Sequence, residues 1–307
     1  MGAIELAIKV DVDTDRGTRV GVPALVDLFE TFGVRTTFLF SLGPDNTGRA
    51  IRRILRPGFF GKVTRTNVVG TYGVRTLLNG ALWPGPHIGR RNAAIMRDVR
   101  DRGHEIGIHC YDHVRWQDGL ARMTRAQVFA EFGKARAEFE RIFAVAAHTA
   151  GAAGWQANAL SFEAYDEADL VYGSDVRGTF PFFPRLGDTV YRTLQIPTTL
   201  PTMDELLGRP GYPPERIVES YLARLRSDRA NVLTVHAEIE GMRYIDTFRE
   251  LLERLRAQAV RFVTMQELAH RALRRRHAVA VCEVVAGEID GRTGTLAVQR
   301  EAAVGAR

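Results

Sequence analysis

The residues best suited to chemistry are histidines and carboxylates set at the ends of apolar stretches. His109 and His113 stand four apart in His109-Cys-Tyr-Asp-His113. On one helical turn, positions i and i+4 share a face, so both imidazoles can reach one metal ion. A zinc-protease motif would place a glutamate base directly after the first histidine, and Cys110 stands there instead. The base must come from elsewhere, and Asp11 and Asp13, in Lys9-Val-Asp-Val-Asp13, are candidates. One carboxylate can complete a His2Asp site with a position open to water, while the other takes that water's proton. His236 ends the apolar run Val232-Leu-Thr-Val235. A lone histidine there is commonly a hydrogen-bonded core residue; beside a metal site it can protonate a leaving amine near neutral pH. Asp175 is a candidate to orient it, as carboxylates commonly do for imidazoles. His104 and His148 read as structural, and His87, His270 and His277 as surface residues.

The elements that must position these groups are legible from periodicity. Ile4, Leu6, Ile8 and Val10 alternate with Glu5, Ala7 and Lys9, a strand ending at Asp11. Pro23 opens a helix that Gly33 stops, and residues 35–41 form a second strand. Asn92 is expected to cap a helix ending near Gly103, ahead of a strand over 105–109. Thr124 and Gln127 form a capping-box signal for a helix that turns Val128, Phe132, Ala135, Phe139 and Ile142 inward. Further strands are expected at 145–149, 170–174, 232–236 and 260–263, with helices over 246–257 and 264–276. Strand and helix alternate, which favours a mostly parallel α/β sheet or barrel. Asp11, Asp13, His109, His113, Asp175 and His236 all fall at strand C-terminal ends, where the loops of such a fold converge.

Composition narrows the class. With 307 residues, 45% hydrophobic and 25% charged, the chain is neither disordered nor a disulfide scaffold. The two cysteines, Cys110 and Cys282, have no evident bridge partner, which fits a reducing, cytoplasmic setting. No signal peptide or membrane-spanning helix is expected. The net charge of +6 is unevenly spread: residues 46–97 hold ten cations and no acid. Arg52, Arg53 and Arg56 stand there beside Phe59, Phe60 and, further on, Trp83. Cations interleaved with apolar groups suit an anionic membrane surface, making this a basic, lipid-facing insertion. An ordinary solvated face is the plainer alternative. Nucleic acid is disfavoured because no nucleic-acid motif accompanies the patch, and no protein partner can be inferred. The pattern changes after Arg276. Residues 1–276 therefore read as a catalytic domain and 277–307 as a C-terminal appendage, with a hairpin expected around Asp290-Gly291.

Taken together, Lys9-Val-Asp11-Val-Asp13, Gly103-His-Glu-Ile-Gly-Ile-His109-Cys-Tyr-Asp-His113 and Leu233-Thr-Val-His236 resemble the motifs of the polysaccharide deacetylase (NodB-homology) family. The resemblance implies a distorted or incomplete (β/α) barrel and a divalent metal, often zinc, with manganese, cobalt or nickel as alternatives. By matching position it implies Asp11 as base, Asp13, His109 and His113 as metal ligands, and His236 as acid. The loops Arg16-Gly-Thr, Gly43-Pro-Asp-Asn46, Leu82-Trp-Pro-Gly85, Ala152-Ala-Gly-Trp155, Ser174-Asp-Val-Arg-Gly178 and His236-Ala-Glu238 resemble one subgroup of it. That subgroup consists of deformylases of undecaprenyl-phosphate-linked 4-deoxy-4-formamido-L-arabinose, whose product modifies lipid A and confers polymyxin resistance. The resemblance makes Arg16, Trp155, Gln156 and Arg177 substrate-binding candidates and implies a peripheral position on the cytoplasmic face of the inner membrane. Gln156 departs from the subgroup's arginine, which braces the catalytic aspartate. Glutamine can still donate a hydrogen bond to Asp11, or Arg177 can supply the missing charge.

Overall fold

In the computed structural model, which describes residues 3–53 and 74–301, the first strand sets the plan. β1 (Glu5–Val12) turns Leu6, Ile8, Val10 and Val12 one way and Ala7, Lys9 and Asp11 the other, and every one of these is buried. The apolar row packs under helices. The other face looks into the concave side of a curved sheet, so an alternation usual for a half-solvated strand here separates the core from the barrel interior. α1 (Val22–Phe32) buries Leu25, Val26 and Phe29 in that core. Each such side chain contributes roughly 1.5–3 kcal/mol on leaving water. The helix ends at Gly33, whose φ of 63° is the left-handed conformation that a glycine stop supplies.

The chain then alternates. β2 (Thr37–Ser41) is followed by a 3-10 turn (Thr47–Arg53), α2 (Val74–Leu78), α3 (Ile88–Asp101) and β3 (Glu105–Cys110). Next come α4 (His113–Gly119), α5 (Arg125–Phe143), β4 (Thr149–Ala150), α6 (Ala159–Glu167) and β5 (Tyr172–Gly173). β6 (Phe182–Leu186), β7 (Thr189–Val190) and β8 (Leu194–Gln195) precede α7 (Met203–Leu206) and α8 (Ile217–Leu222). β9 (Asn231–His236), α9 (Ile245–Ala257), β10 (Arg261–Val263) and α10 (Met265–Leu273) complete the α/β run, and β11 (Ala280–Gly287) and β12 (Leu296–Arg300) follow. β1 runs parallel to β9 along 6–11, while its two halves pair with β10 and β2. The sheet continues parallel through β3, β4, β5 and β8, then turns antiparallel at β6. Between β9 and β8 no strand pairing is formed among the described residues. The gap is bridged by backbone bonds from Thr199 and Leu200 to the Val232 carbonyl and by the Thr198 and Thr199 hydroxyls, which bond to the Thr234 hydroxyl and to the Val232 N–H. The result is an incomplete barrel, as the alternation and the family resemblance implied.

Several local expectations change. His109 and His113 do not share a helical turn: His109 is the next-to-last residue of β3 and His113 opens α4, with Asp112 as its N-cap. α3 begins at Ile88, capped by His87, and Asn92 lies inside it with non-helical angles of −116° and 17°. The amide of Asn92 is drawn instead to the buried Asp15 carboxylate (3.0 Å) and the Ile88 carbonyl (2.9 Å). Of residues 145–149 only Thr149 enters a strand; Val145 is exposed. The capping box at Thr124 and Gln127 forms as expected, and all five expected core residues of α5 are buried. Both cysteines are buried and unpaired. β11 and β12 form an antiparallel hairpin, and β11 joins the main sheet parallel to β6. Among the described residues no helix is long and apolar enough to cross a membrane.

Candidate metal and catalytic site

Strand register assembles the site. Because β1 and β9 run parallel with Asp11 opposite His236, the two side chains emerge as neighbours at one end of the barrel. β3 delivers His109 to the same end, and the tight turn after it brings His113 back over it, with ring centroids 5.3 Å apart. Asp13, just past the end of β1, lies 3.2 Å from His109 Nε2 and 3.4 Å from His113 Nε2 through its Oδ1. Donor atoms of Asp13, His109 and His113 all fall within 4.8 Å of one another.

The loop carrying Asp13 is held by a buried glutamate. Glu238 Oε1 accepts bonds from the backbone N–H groups of Asp13 (3.1 Å) and Thr14 (2.9 Å) and from the Thr14 hydroxyl (2.8 Å). Gly17 allows this approach, since a Cβ there would lie 1.9 Å from the same oxygen. Burial, with the Asp13 charge beside it, pushes Glu238 up to about 8. Asp13 goes the other way: burial would raise it, but the facing imidazoles of His113, His109 and His236 hold it well below the usual carboxylate range.

Asp11 is buried, and its Oδ2 is 3.4 Å from the ammonium of Lys9, itself 1% exposed. Lys9 also donates to the Ser174 carbonyl (3.2 Å) and stands 5.4 Å from the Trp155 ring centroid. His236 meets Trp155 edge to face at 6.5 Å, and its backbone N–H donates to Glu240. Burial would lower the His236 imidazole, but the carboxylates of Asp13, Asp204, Glu240 and Asp11 raise it above its ordinary value. Asp11 Oδ1, Asp13 Oδ1, His109 Nδ1 and His236 Nδ1 are all buried without a hydrogen-bond partner. Buried polar atoms are nearly always satisfied, so this cluster of bare donors is arranged for something that is not protein. Two imidazoles and a carboxylate, with further acid–base groups beside them, fit a divalent metal with an open position.

The remaining site candidates divide. Trp155 is buried at the site, and half-buried Arg16 immediately precedes the turn Gly17–Gly21 that follows Asp13. Asp175 does not orient His236. Its carboxylate is taken up by the Ala152 N–H (2.6 Å), the Tyr165 hydroxyl (3.0 Å) and Gln195 Nε2 (2.9 Å), and burial pushes it up to about 6. Gln156 makes no bond to Asp11; its Nε2 donates to the Thr295 carbonyl at 2.8 Å. Arg177 pairs with Glu205 at 2.7 Å and donates to the Leu200 carbonyl, so the cation beside Asp11 is Lys9. The strand alternation already put Lys9 on the face of Asp11 and Asp13, which is the signal that could have found it. Glu238 is marked only as part of the His236-Ala-Glu238 segment; its role depends on β9 lying against β1. His104 is buried against Thr36, whereas His148 is exposed rather than structural. His270 and His277 are exposed as expected, and His87 is partly buried in its capping role. Of the basic insertion, Trp83 is 41% exposed and the backbones of Arg52 and Arg53 lie in the 3-10 turn. Arg56, Phe59 and Phe60 lie outside the described residues.

A polysaccharide deacetylase family model matches residues 12–172, and the chain belongs to that family. The family's fold and relatives make it a hydrolase of the deacetylase and deformylase class. Within it, the chain is 37% identical to a Shewanella sediminis protein named probable 4-deoxy-4-formamido-L-arabinose-phosphoundecaprenol deformylase ArnD, over 96% of this chain and 94% of that one. That extent takes in part of the segment after Arg276 as well. Among solved structures, a Mycobacterium smegmatis protein described as a polysaccharide deacetylase superposes with a TM-score of 0.65 at 18% identity, covering 94% of this chain and 96% of its own. A family 4 acetyl xylan esterase from Clostridium thermocellum, solved with a cobalt ion, superposes with a TM-score of 0.50 at 14% identity, covering 87% and 90%.

Proposed function

We propose that the protein hydrolyses the N-formyl group of undecaprenyl-phosphate-linked 4-deoxy-4-formamido-L-arabinose, releasing formate and the 4-amino-4-deoxy-L-arabinose lipid. The observation that carries this is the convergence of Asp13, His109 and His113 on one point beside Asp11 and His236, with buried atoms of Asp11, Asp13, His109 and His236 left without a hydrogen bond, in a chain with a deformylase-named relative over nearly its whole length. Asp13, His109 and His113 would hold the metal, of which Zn2+ is favoured over Mn2+, Co2+ or Ni2+. When bound, it supplies a Lewis acid that polarises the formyl carbonyl and acidifies water from a pKa of 15.7 toward about 7. Asp11 Oδ1 takes the proton as water adds to the formyl carbon. Lys9 keeps that carboxylate in place and charge-compensated. His236, whose proton affinity the surrounding carboxylates raise, then gives a proton to the sugar nitrogen as the C–N bond breaks. Trp155 shields one side of His236 from water.

The product amine would reduce the negative charge of lipid A, the chemistry behind polymyxin resistance. A lipid-linked substrate requires contact with the anionic inner-membrane surface, and residues 46–97 are proposed to make it from the cytoplasmic side. In support, Leu82 (70%) and Trp83 (41%) are exposed on the part of that segment that is described. The competing reading is removal of acetyl from another N-acetylated sugar or oligosaccharide, as the wider family name suggests. A non-catalytic lipid-binding relative is the reading from a different class. Purified protein, loaded separately with each metal, should release formate from the formamido-arabinose lipid and little acetate from N-acetylated oligosaccharides. Acetate without formate would transfer the assignment to a deacetylase, and neither product would leave a binding protein.

A further inference from the structure

Trp155 is held in an unusual way. Gly154 and Trp155 both have left-handed backbones, with φ of 62° and 53°. Glycine adopts this freely, but a bulky residue there is strained and needs its surroundings to hold it. The indole Nε1–H donates to the Thr198 hydroxyl at 3.2 Å. Two guanidinium groups lie over the ring, Arg177 at 5.1 Å and Arg292 at 4.5 Å from its centroid. Both face one carboxylate, that of Glu205, at 2.7 and 3.6 Å, and Glu205 is 1% exposed.

Arg292 comes from the loop between β11 and β12, far from the family motifs in sequence. Its loop is docked rather than loose. Gly291, at φ 84°, packs so tightly that a Cβ would lie 2.2 Å from the Glu205 carbonyl oxygen. Arg209 pairs with Asp290 at 2.8 Å, and Gln156 donates to the Thr295 carbonyl. Behind the loop, the Arg177 N–H donates to the Ala297 carbonyl and the Gln299 N–H to the Arg177 carbonyl. The hairpin therefore grips both residues that flank the indole, Gln156 next to it in sequence and Arg177 over its ring.

We infer that the C-terminal hairpin completes the active site, with Arg292 as a positioning residue that clamps Trp155 in its strained conformation and thereby fixes the face it presents to His236. Lys9 and Arg177 reach the indole from the main body of the barrel; Arg292 adds a second guanidinium over the ring, and the hairpin delivers it. The planar guanidinium suits this task because it can stack on the ring while still reaching Glu205, which a lysine ammonium cannot do equally well.

The test uses the full chain, and its kinetic arm rests on the amidohydrolase reading above while its spectroscopic arm does not. Arg292→Met keeps an apolar stem and removes the guanidinium. The indole N–H resonance of Trp155, assigned with Trp155→Phe, and the imidazole resonances of His236 should both shift, while zinc affinity is retained. With a water-soluble formamido sugar, kcat should fall about 5- to 30-fold, the range for losing one partly desolvated cation–π contact. Arg292→Lys should recover part of the rate and part of the resonance shift. Gly291→Ala, which lifts the loop tip without touching the arginine, should reproduce the Arg292→Met spectrum. If Arg292→Met does not fold, Gly291→Ala and Arg292→Lys decide the matter by the same signals. Unmoved Trp155 and His236 resonances in folded variants would overturn the inference, whatever the rate. A wild type inactive on every formamido sugar, with the resonance shifts present, would remove the functional reading and leave the clamp standing.

Discussion

Replacing Lys9 tests how the site tolerates its buried charges. The ammonium of Lys9 lies 3.4 Å from Asp11 Oδ2, with side-chain exposures of 1% and 4%. At that separation and an effective dielectric of ~20, the pair's attraction is about 5 kcal/mol. Removing one partner of a buried pair typically costs about 3–5 kcal/mol, because a charge is left behind without compensation. Lys9→Met should therefore destabilise the metal-free protein by roughly that amount. Met also loses the bond to Ser174 and the contact with Trp155, so the single variant does not isolate the pair. A double-mutant cycle does: Asp11→Asn removes the orphaned charge, and the losses at Ser174 and Trp155 occur in both arms and cancel. The double variant should be more stable than Lys9→Met alone, with a coupling energy of at least ~2 kcal/mol. The assay is guanidinium unfolding at pH 7 after chelation, with matched m-values required for all four proteins. Additivity within about 0.5 kcal/mol would show that Lys9 and Asp11 do not stabilise one another, and the brace assigned to Lys9 would fall.

Other expectations concern metal, acid–base roles, pH and membrane. Asp13→Ala and His109→Ala should lose bound zinc in equilibrium dialysis, whereas Asp11→Asn should keep it and lose turnover; the reverse pattern would mean the two aspartates have been exchanged. His236→Ala should retain metal and slow formate release by roughly 10²–10⁴-fold, the usual range for one acid or base. Burial, opposed by the His236 charge, raises Glu240 to about 7, above its ordinary value of 4.5. A carboxyl raised on folding is easier to keep neutral in the native state, so its stabilising effect is complete below pH 4.5 and lost as pH rises through 7. Glu240→Gln should flatten that decline, by up to about 3 kcal/mol, in unfolding measured from pH 4 to 8 without metal. Arg52, Arg53 and Arg56 changed to glutamate should weaken sedimentation with anionic liposomes at low salt, and Phe59→Ser with Phe60→Ser should reduce the salt-resistant fraction. Equal binding by wild type and the triple glutamate variant would make the segment a solvated face.

The sequence by itself determined the groups and the end of the fold where they meet. Asp11, His109 and His236 lie at the ends of runs whose periodicity is strong enough to read alone, with Asp13 and His113 just after, and a parallel α/β arrangement gathers strand ends. It also carried the alternation that puts Lys9 beside Asp11. What only the tertiary structure decided are contacts between residues distant in the chain. Asp175 reads as an orienting carboxylate from its place after a strand, yet the N–H of Ala152 and the side chains of Tyr165 and Gln195 claim it. Gln156 follows the motif tryptophan, but its amide turns to Thr295 because the hairpin brings a bare carbonyl within 2.8 Å. The four-residue spacing of His109 and His113 is the same number in a helix and in a strand–turn–helix corner, and only the pairing of β2 with β3 selects the latter. Local pattern records which face a residue takes on its own element. Which partner waits on that face depends on strand register and chain return, and those are set by packing across hundreds of residues.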